Sequence, residues 1–244
     1  MNPLATTTVR EIALEEPSSI RVFEHFGIDY CCGGRVPLAN ACAELQLPLE
    51  DVLKQLDESR GQQPADNPSR WQTAPLAELT EYIVRTHHER VNRETPRMIA
   101  LANKVAAKHG PGNPNLLRIE ELTYQIDEEM RSHQGKEEQV LFPYIQKLEA
   151  ASTGGAAPRA GFGSISFPIQ MMLREHDSAG AITAEFRSLS NGYQTPPGAC
   201  PTYHALFDAL REFEEDLHRH VHLENNILFP RAIELEASLQ SAAS

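Results

Sequence analysis

A sixteen-residue pattern occurs twice in this chain. EEMRSHQGKEEQVLFP at 128–143 aligns without a gap on EDLHRHVHLENNILFP at 215–230, so one supersecondary unit is used twice. Both copies contain H-x-x-x-E followed by L-F-P. In a helix, residues four apart share a face, which sets His133 beside Glu137 and His220 beside Glu224. Imidazoles and carboxylates are costly to bury singly in an apolar interior. A fold that keeps both pairs must therefore turn the two polar faces toward each other, and helices packed side by side do this.

The rest of the sequence supplies those helices. Apolar residues recur at intervals of three and four over about 75–109, 115–150, 167–190 and 201–239, the signature of amphipathic helices. HGPGNPN, STGGAAPRAGFGS and SNGYQTPPGACP separate them and are rich in helix-ending residues. Connections this short predict antiparallel neighbours in an all-α, up-down-up-down four-helix bundle over 72–244. Residues 1–58 hold short amphipathic segments punctuated by Pro17, Gly27, Gly33, Gly34, Pro37 and Pro48, which predicts a small helical N-terminal domain. Between the two, ESRGQQPADNPSR offers no apolar face, and 59–71 reads as a linker.

A formal charge of −12 and a pI near 5.3 argue against a phosphate-tracking surface, so no nucleic-acid partner is expected. MNPLATTTVREIALEEP carries charges where a signal peptide needs an apolar core, and no run approaches the roughly 20 apolar residues of a membrane span. A cytoplasmic protein without a membrane partner is the expectation. Of four cysteines, two are adjacent at Cys31 and Cys32, which predicts reduced thiols rather than a disulfide framework.

Each half of the repeat has a histidine in its preceding helix. His87 precedes His133 by 46 residues and His176 precedes His220 by 44, so folding each hairpin about its loop brings the pairs to similar heights. Six metal ligands are expected: His87, His133, Glu137, His176, His220 and Glu224. Paired carboxylates able to bridge, with no thiolate in the repeats, favour two non-haem iron ions with oxo and carboxylate bridges, leaving one open position on each. His109 lies about 33 Å from His87 along a straight helix and is left out. His88 and His222 adjoin ligands and should point elsewhere. Glu129 and Glu175 are candidates to accept hydrogen bonds behind the ligands or to line a channel. Cys31 and Cys32, ahead of two glycines, lie on a turn whose amides and Pro37-started helix could stabilise a thiolate. Metal or sulfur handover, or a redox contact, suits them, with Cys42 and Cys200 as bystanders.

DYCCGG at 29–34, followed by SHQGKEEQVLFP and RHVHLENNILFP, resembles the RIC (repair of iron centres) proteins of the ScdA/YtfE type, over nearly the whole chain. The resemblance implies a hemerythrin-like di-iron bundle, cytoplasmic and homodimeric. It also implies repair of iron–sulfur proteins damaged by nitric oxide or oxidants, by supply of iron, with the six ligands as named. His109, in KVAAKHG, matches a recurrent family histidine; a longer Gly/Ala linker at 152–166 and Cys42 depart from the pattern. Two other activities fit the same residues: reduction of nitric oxide at adjacent open positions, and binding of nitric oxide or oxygen as a sensor.

Overall fold

The computed structural model describes residues 2–60, 68–155, 158 and 161–242. The middle of the 59–71 linker and part of the 152–166 linker lie outside the described residues.

The N-terminal region is built from α1 (Val9–Glu15), α2 (Ser19–Phe26), α3 (Leu38–Glu44) and α4 (Leu49–Ser59). Thr8 starts α1 with a capping box, its hydroxyl accepting from the Glu11 N–H and the Glu11 carboxylate accepting from the Thr8 N–H, which satisfies two otherwise orphaned donors. Pro37 and Pro48 stand immediately ahead of α3 and α4, and Gly27 ends α2 at φ +67°, where a side chain would be strained. Phe23, Ile28, Tyr30, Leu38, Val52 and Leu56 are buried together beneath these helices.

Residues 29–34 form a tight turn closed by Asp29. Its carboxylate accepts from the backbone N–H of Cys31 at 2.8 Å, Cys32 at 3.0 Å and Gly33 at 2.8 Å. The chain then doubles back so closely that a Cβ on Gly34 would lie 2.7 Å from the Tyr30 carbonyl oxygen. Gly34→Ala is expected to destabilise the protein by on the order of 3 kcal/mol, because backbone meets backbone and neither can yield cheaply; chemical denaturation at constant m-value would measure it.

Four helical arms make the bundle, as the periodicity predicts. The first joins α5 (Leu76–Ile83) to α6 (Glu89–His109) through a π turn at Val84–His88. The second joins α7 (Asn115–Lys136) to α8 (Phe142–Ser152) through a π turn at Glu137–Leu141. The third is α9 (Ser166–Leu189) alone. The fourth joins α10 (Pro201–Leu223) to α11 (Phe229–Ala242) through a π turn at Glu224–Leu228. α6 packs against α7 and α10, and α9 against the same two. Pro143 and Pro230 stand two residues past the ends of the second and third π turns. Each lacks the N–H that would continue an α ladder and its ring crowds the carbonyl four residues back, so a widened turn fits there.

Two apolar layers hold the arms together. Met98, Val105, Ile119, Ile126, Phe186 and Leu210 are buried toward one end, and Leu79, Ile83, Ile145, Ile169, Leu228 and Phe229 toward the other. At roughly 1.5–3 kcal/mol for each large apolar side chain fully buried, these layers can offset a costly polar layer between them. That polar layer lies where the numbering of every arm passes from one cluster to the other. Among the described residues there is no strand beyond an isolated bridge of Thr8 with Pro37, and no helix is long and apolar enough to cross a membrane.

The N-terminal region is fastened to α9, α10 and the turn after α10. Arg219 pairs with Glu24 through two contacts of 2.8 and 2.9 Å, Asn226 donates to the Tyr30 carbonyl at 3.1 Å, and the Tyr30 ring lies against His222.

Candidate metal centre

Six side chains converge in the polar layer, and one differs from expectation. His88, Glu137, His220 and Glu224 bring ligand atoms within 4.8 Å of one another, and so do His133, Glu137, His176 and Glu224. The two groups share both glutamates, and all six residues are at least 98 % buried. Each histidine presents Nε2 to a carboxylate oxygen. His88 and His133 lie 3.3 and 3.2 Å from Glu137 Oε2, and His176 and His220 lie 3.0 Å from Glu224 Oε2 and Oε1.

His87 is not in the cluster, and His88, expected to point elsewhere, takes its place. The reason is local. A π turn holds one residue more than the α turn it replaces, so the Val84–His88 turn shifts the inward position by one residue relative to a straight helix. His87 instead stacks on the outer side of His220, ring centroids 5.3 Å apart, with Nδ1 3.2 Å from Asp216 Oδ1. The sequence holds a signal for the residue found in the cluster. His88 precedes His133 by 45 residues, nearer the 44 of the other half than 46 is, and His88-Glu89 matches His176-Asp177 as histidine followed by acid. The histidines also group across the halves, His88 with His220 and His133 with His176.

Residues behind the cluster fix which nitrogen faces inward. His88 Nδ1 lies 2.8 Å from Glu138 Oε1, His133 Nδ1 2.9 Å from Glu175 Oε2, and His176 Nδ1 2.7 Å from Asn225 Oδ1. Each oxygen only accepts, so Nδ1 donates to it and Nε2 is the nitrogen left facing the centre. Glu138 and Asn225, which the sequence reading missed, are the residues directly after the two cluster glutamates, one in each repeat copy. Glu175 holds His133 and pairs with Lys136, whereas Glu129 accepts from Gln125 and Ser178. Glu138→Ala or Asn225→Ala is expected to lower metal affinity about 10- to 100-fold while leaving the helical content unchanged, measured by competition with a chromophoric chelator.

The electrostatics leave the centre short of positive charge. Burial and the neighbouring Glu224 push Glu137 upward, yet His133 and His88 outweigh them and hold it below the usual carboxylate range. Glu224 is likewise opposed by burial and held well below that range by His220 and His176. Burial works against a charged His133, but Glu137 and Glu175 outweigh it and raise the group to about 10. Both Glu137 oxygens, Glu224 Oε2 and His88 Nε2 lack a hydrogen bond of good geometry, and His133 Nε2 faces His176 Nε2 at 3.1 Å. Imidazole nitrogens facing two shared, ionised carboxylates from all sides suit cations, which displace the histidine protons, and borderline divalent ions above all.

A cleft of about 520 Å³ between α7 and α9 reaches His133 and His176 and is lined by Glu128, Glu129, Lys136 and Glu175. His109 sits far from it, 3.5 Å from Cys200 Sγ and beside Tyr203. The thiolate expected at Cys31 is not favoured. The amides that would stabilise it are taken up by Asp29, and a hydrogen bond with Cys32, burial and the Asp29 charge push the Cys31 thiol well up.

Comparison with known proteins gives two profile matches along the chain. The profile of the Hemerythrin HHE cation binding domain matches residues 79–232, and that of ScdA_N, a domain of unknown function, matches residues 5–60. The chain is 33 % identical over 229 residues to the probable iron-sulfur cluster repair protein of Haemophilus influenzae, covering 94 % of this chain and 97 % of that one. It is 35 % identical over 224 residues to the iron-sulfur cluster repair protein YtfE of Citrobacter koseri, covering 91 % and 94 %. The YtfE protein of an Escherichia coli strain gives the same figures.

Proposed function

Because the chain belongs to the YtfE-type iron-sulfur cluster repair proteins, with a hemerythrin HHE cation-binding domain, we propose that it repairs damaged iron–sulfur clusters by giving up iron. His88, His133, His176 and His220, with Glu137 and Glu224 common to both histidine pairs, are the residues that would hold the iron, as two ions. The observation that supports this reading is the pair of fully buried, ionised glutamates serving two histidine pairs at once, with oxygen atoms left unpaired.

Iron there supplies exchange between ferrous and ferric states and, once released, the metal that a damaged cluster lacks. The protein's part is to hold and to let go. Acceptors at Nδ1 fix three of the imidazoles, so little reorganisation accompanies binding. Each group offers two histidines and the two common carboxylates, a set that would leave coordination positions for an exchanging ligand. The cleft beside His133 and His176 gives that ligand a route, with the Lys136–Glu175 pair at its rim. The damaged acceptor is an iron–sulfur protein, nitric oxide or oxidants are the source of the damage, and the setting is the cytoplasm, with the protein as a homodimer.

The test is anaerobic transfer. Ferrous-loaded protein is mixed with an acceptor whose cluster has lost iron, and return of the cluster absorption is followed beside iron loss from the donor. Recovery that depends on Glu137 and Glu224 supports the proposal. Iron held through repeated exposure to acceptor and chelator would overturn it.

A further inference from the structure

The Cys31–Cys32 turn carries a second group of ligand atoms. Cys31 Sγ lies 3.2 Å from Asp29 Oδ1 and 3.8 Å from Cys32 Sγ, and one atom from each of the three residues falls within 4.8 Å of the others. The cysteines are free thiols. Two sulfurs bound at about 2.3 Å to one tetrahedral ion stand about 3.8 Å apart, so the separation already present is the one such an ion needs.

The turn is built to keep this arrangement. Three backbone N–H groups fix the Asp29 carboxylate, Gly34 lets the chain double back, and Tyr30 is fully buried behind it. Access is graded, with Asp29 exposed, Cys32 half-buried and Cys31 buried, which leaves one open side. Two small residues filling a turn would need no carboxylate against the thiols; here the acid is the third corner.

We propose that Asp29, Cys31 and Cys32 bind one thiophilic cation of the ferrous, zinc or cuprous class through two thiolates and a carboxylate oxygen. Two S–H bonds break, two sulfur–metal bonds form, and both protons pass to solvent. The position of this site gives it a role. Cys32 Sγ lies 3.8 Å from where a Cβ on Gly180 would stand, and Gly180 is four residues past His176, about 6 Å along α9. A cation leaving the His/Glu centre thus has a thiol stop one helical turn away, a clause that rests on the repair reading; the binding site itself does not.

The experiment is anaerobic titration of the full-length protein with cadmium ion, following the thiolate-to-cadmium charge-transfer band and proton release in weak buffer. One equivalent giving a two-thiolate band with release of protons supports the site. Cys31→Ser and Cys32→Ser are expected to abolish the band, Asp29→Asn to weaken binding by about tenfold or more, and Cys42→Ser and Cys200→Ser to change nothing. The Glu137→Ala, Glu224→Ala double variant keeps the band, which separates this site from the His/Glu centre. Far-ultraviolet dichroism checks that each variant is folded. A band that survives in Cys31→Ser or Cys32→Ser, or its absence in the wild type, overturns the proposal; unchanged affinity in Asp29→Asn overturns the three-ligand assignment.

Discussion

His88→Ala is expected to cost the centre at least half of its metal, while His87→Ala leaves it loaded. The two residues are neighbours and both are buried, so a loss due to disturbed packing would strike both variants alike. A loss due to removal of a ligand strikes only one. His88 supplies an inward Nε2 to the group containing His220 and both glutamates, and without it that group keeps a single histidine. The expected loss exceeds the 10- to 100-fold typical of a residue behind the ligands. Elemental analysis of anaerobically purified protein should find no more than half the wild-type iron in His88→Ala and an undiminished content in His87→Ala. The reverse result would return His87 to the centre and remove His88.

Chelation is the second large effect, and its signature is a new dependence on pH. Without metal, the buried carboxylates lean on protonated histidine, above all His133, which is raised to about 10 from an unfolded value near 6.5. A raised group contributes its full stabilisation below the unfolded value and loses it as pH climbs toward the folded one. The metal-free protein should therefore lose several kcal/mol of stability between about pH 6.5 and pH 10, seen as a falling Tm. Bound metal requires neutral imidazole, so the loaded protein should melt higher and show a much flatter profile over the same range. Equal slopes for the two forms would mean that His133 and Glu137 do not share a proton.

The bundle was legible because its signals are repeated. Apolar spacing, three loops rich in Gly and Pro, and a duplicated H-x-x-x-E each point to the same four arms. The cluster was nearly legible for the same reason, since a spacing of four places His133 with Glu137 and His220 with Glu224 in any helix. His88 was not, because the choice between adjacent histidines turns on about 100° of helical rotation, and the π turn that supplies it has no proline beside it to announce it. The roles of Glu138 and Asn225 depend on contacts between arms, which a reading along one helix does not reach. At the Cys-Cys turn, the sequence reading gave the amides to sulfur. Asp29, two residues before Cys31, takes them first, because a short acidic side chain readily bonds to the N–H groups that follow it.

The arms are mechanically unequal. Three of them cross the level of the ligands with a backbone ladder already widened there, and α9 crosses it as unbroken helix from Ser166 to Leu189. A change in how the glutamates sit is thus taken up by three yielding segments around one stiff strut. The N-terminal region touches both kinds, resting on the strut at Gly180 and tied by Asn226 to the yielding turn that carries Glu224. It is therefore anchored at once to the one unbroken arm and to the widened turn of the arm that carries Glu224.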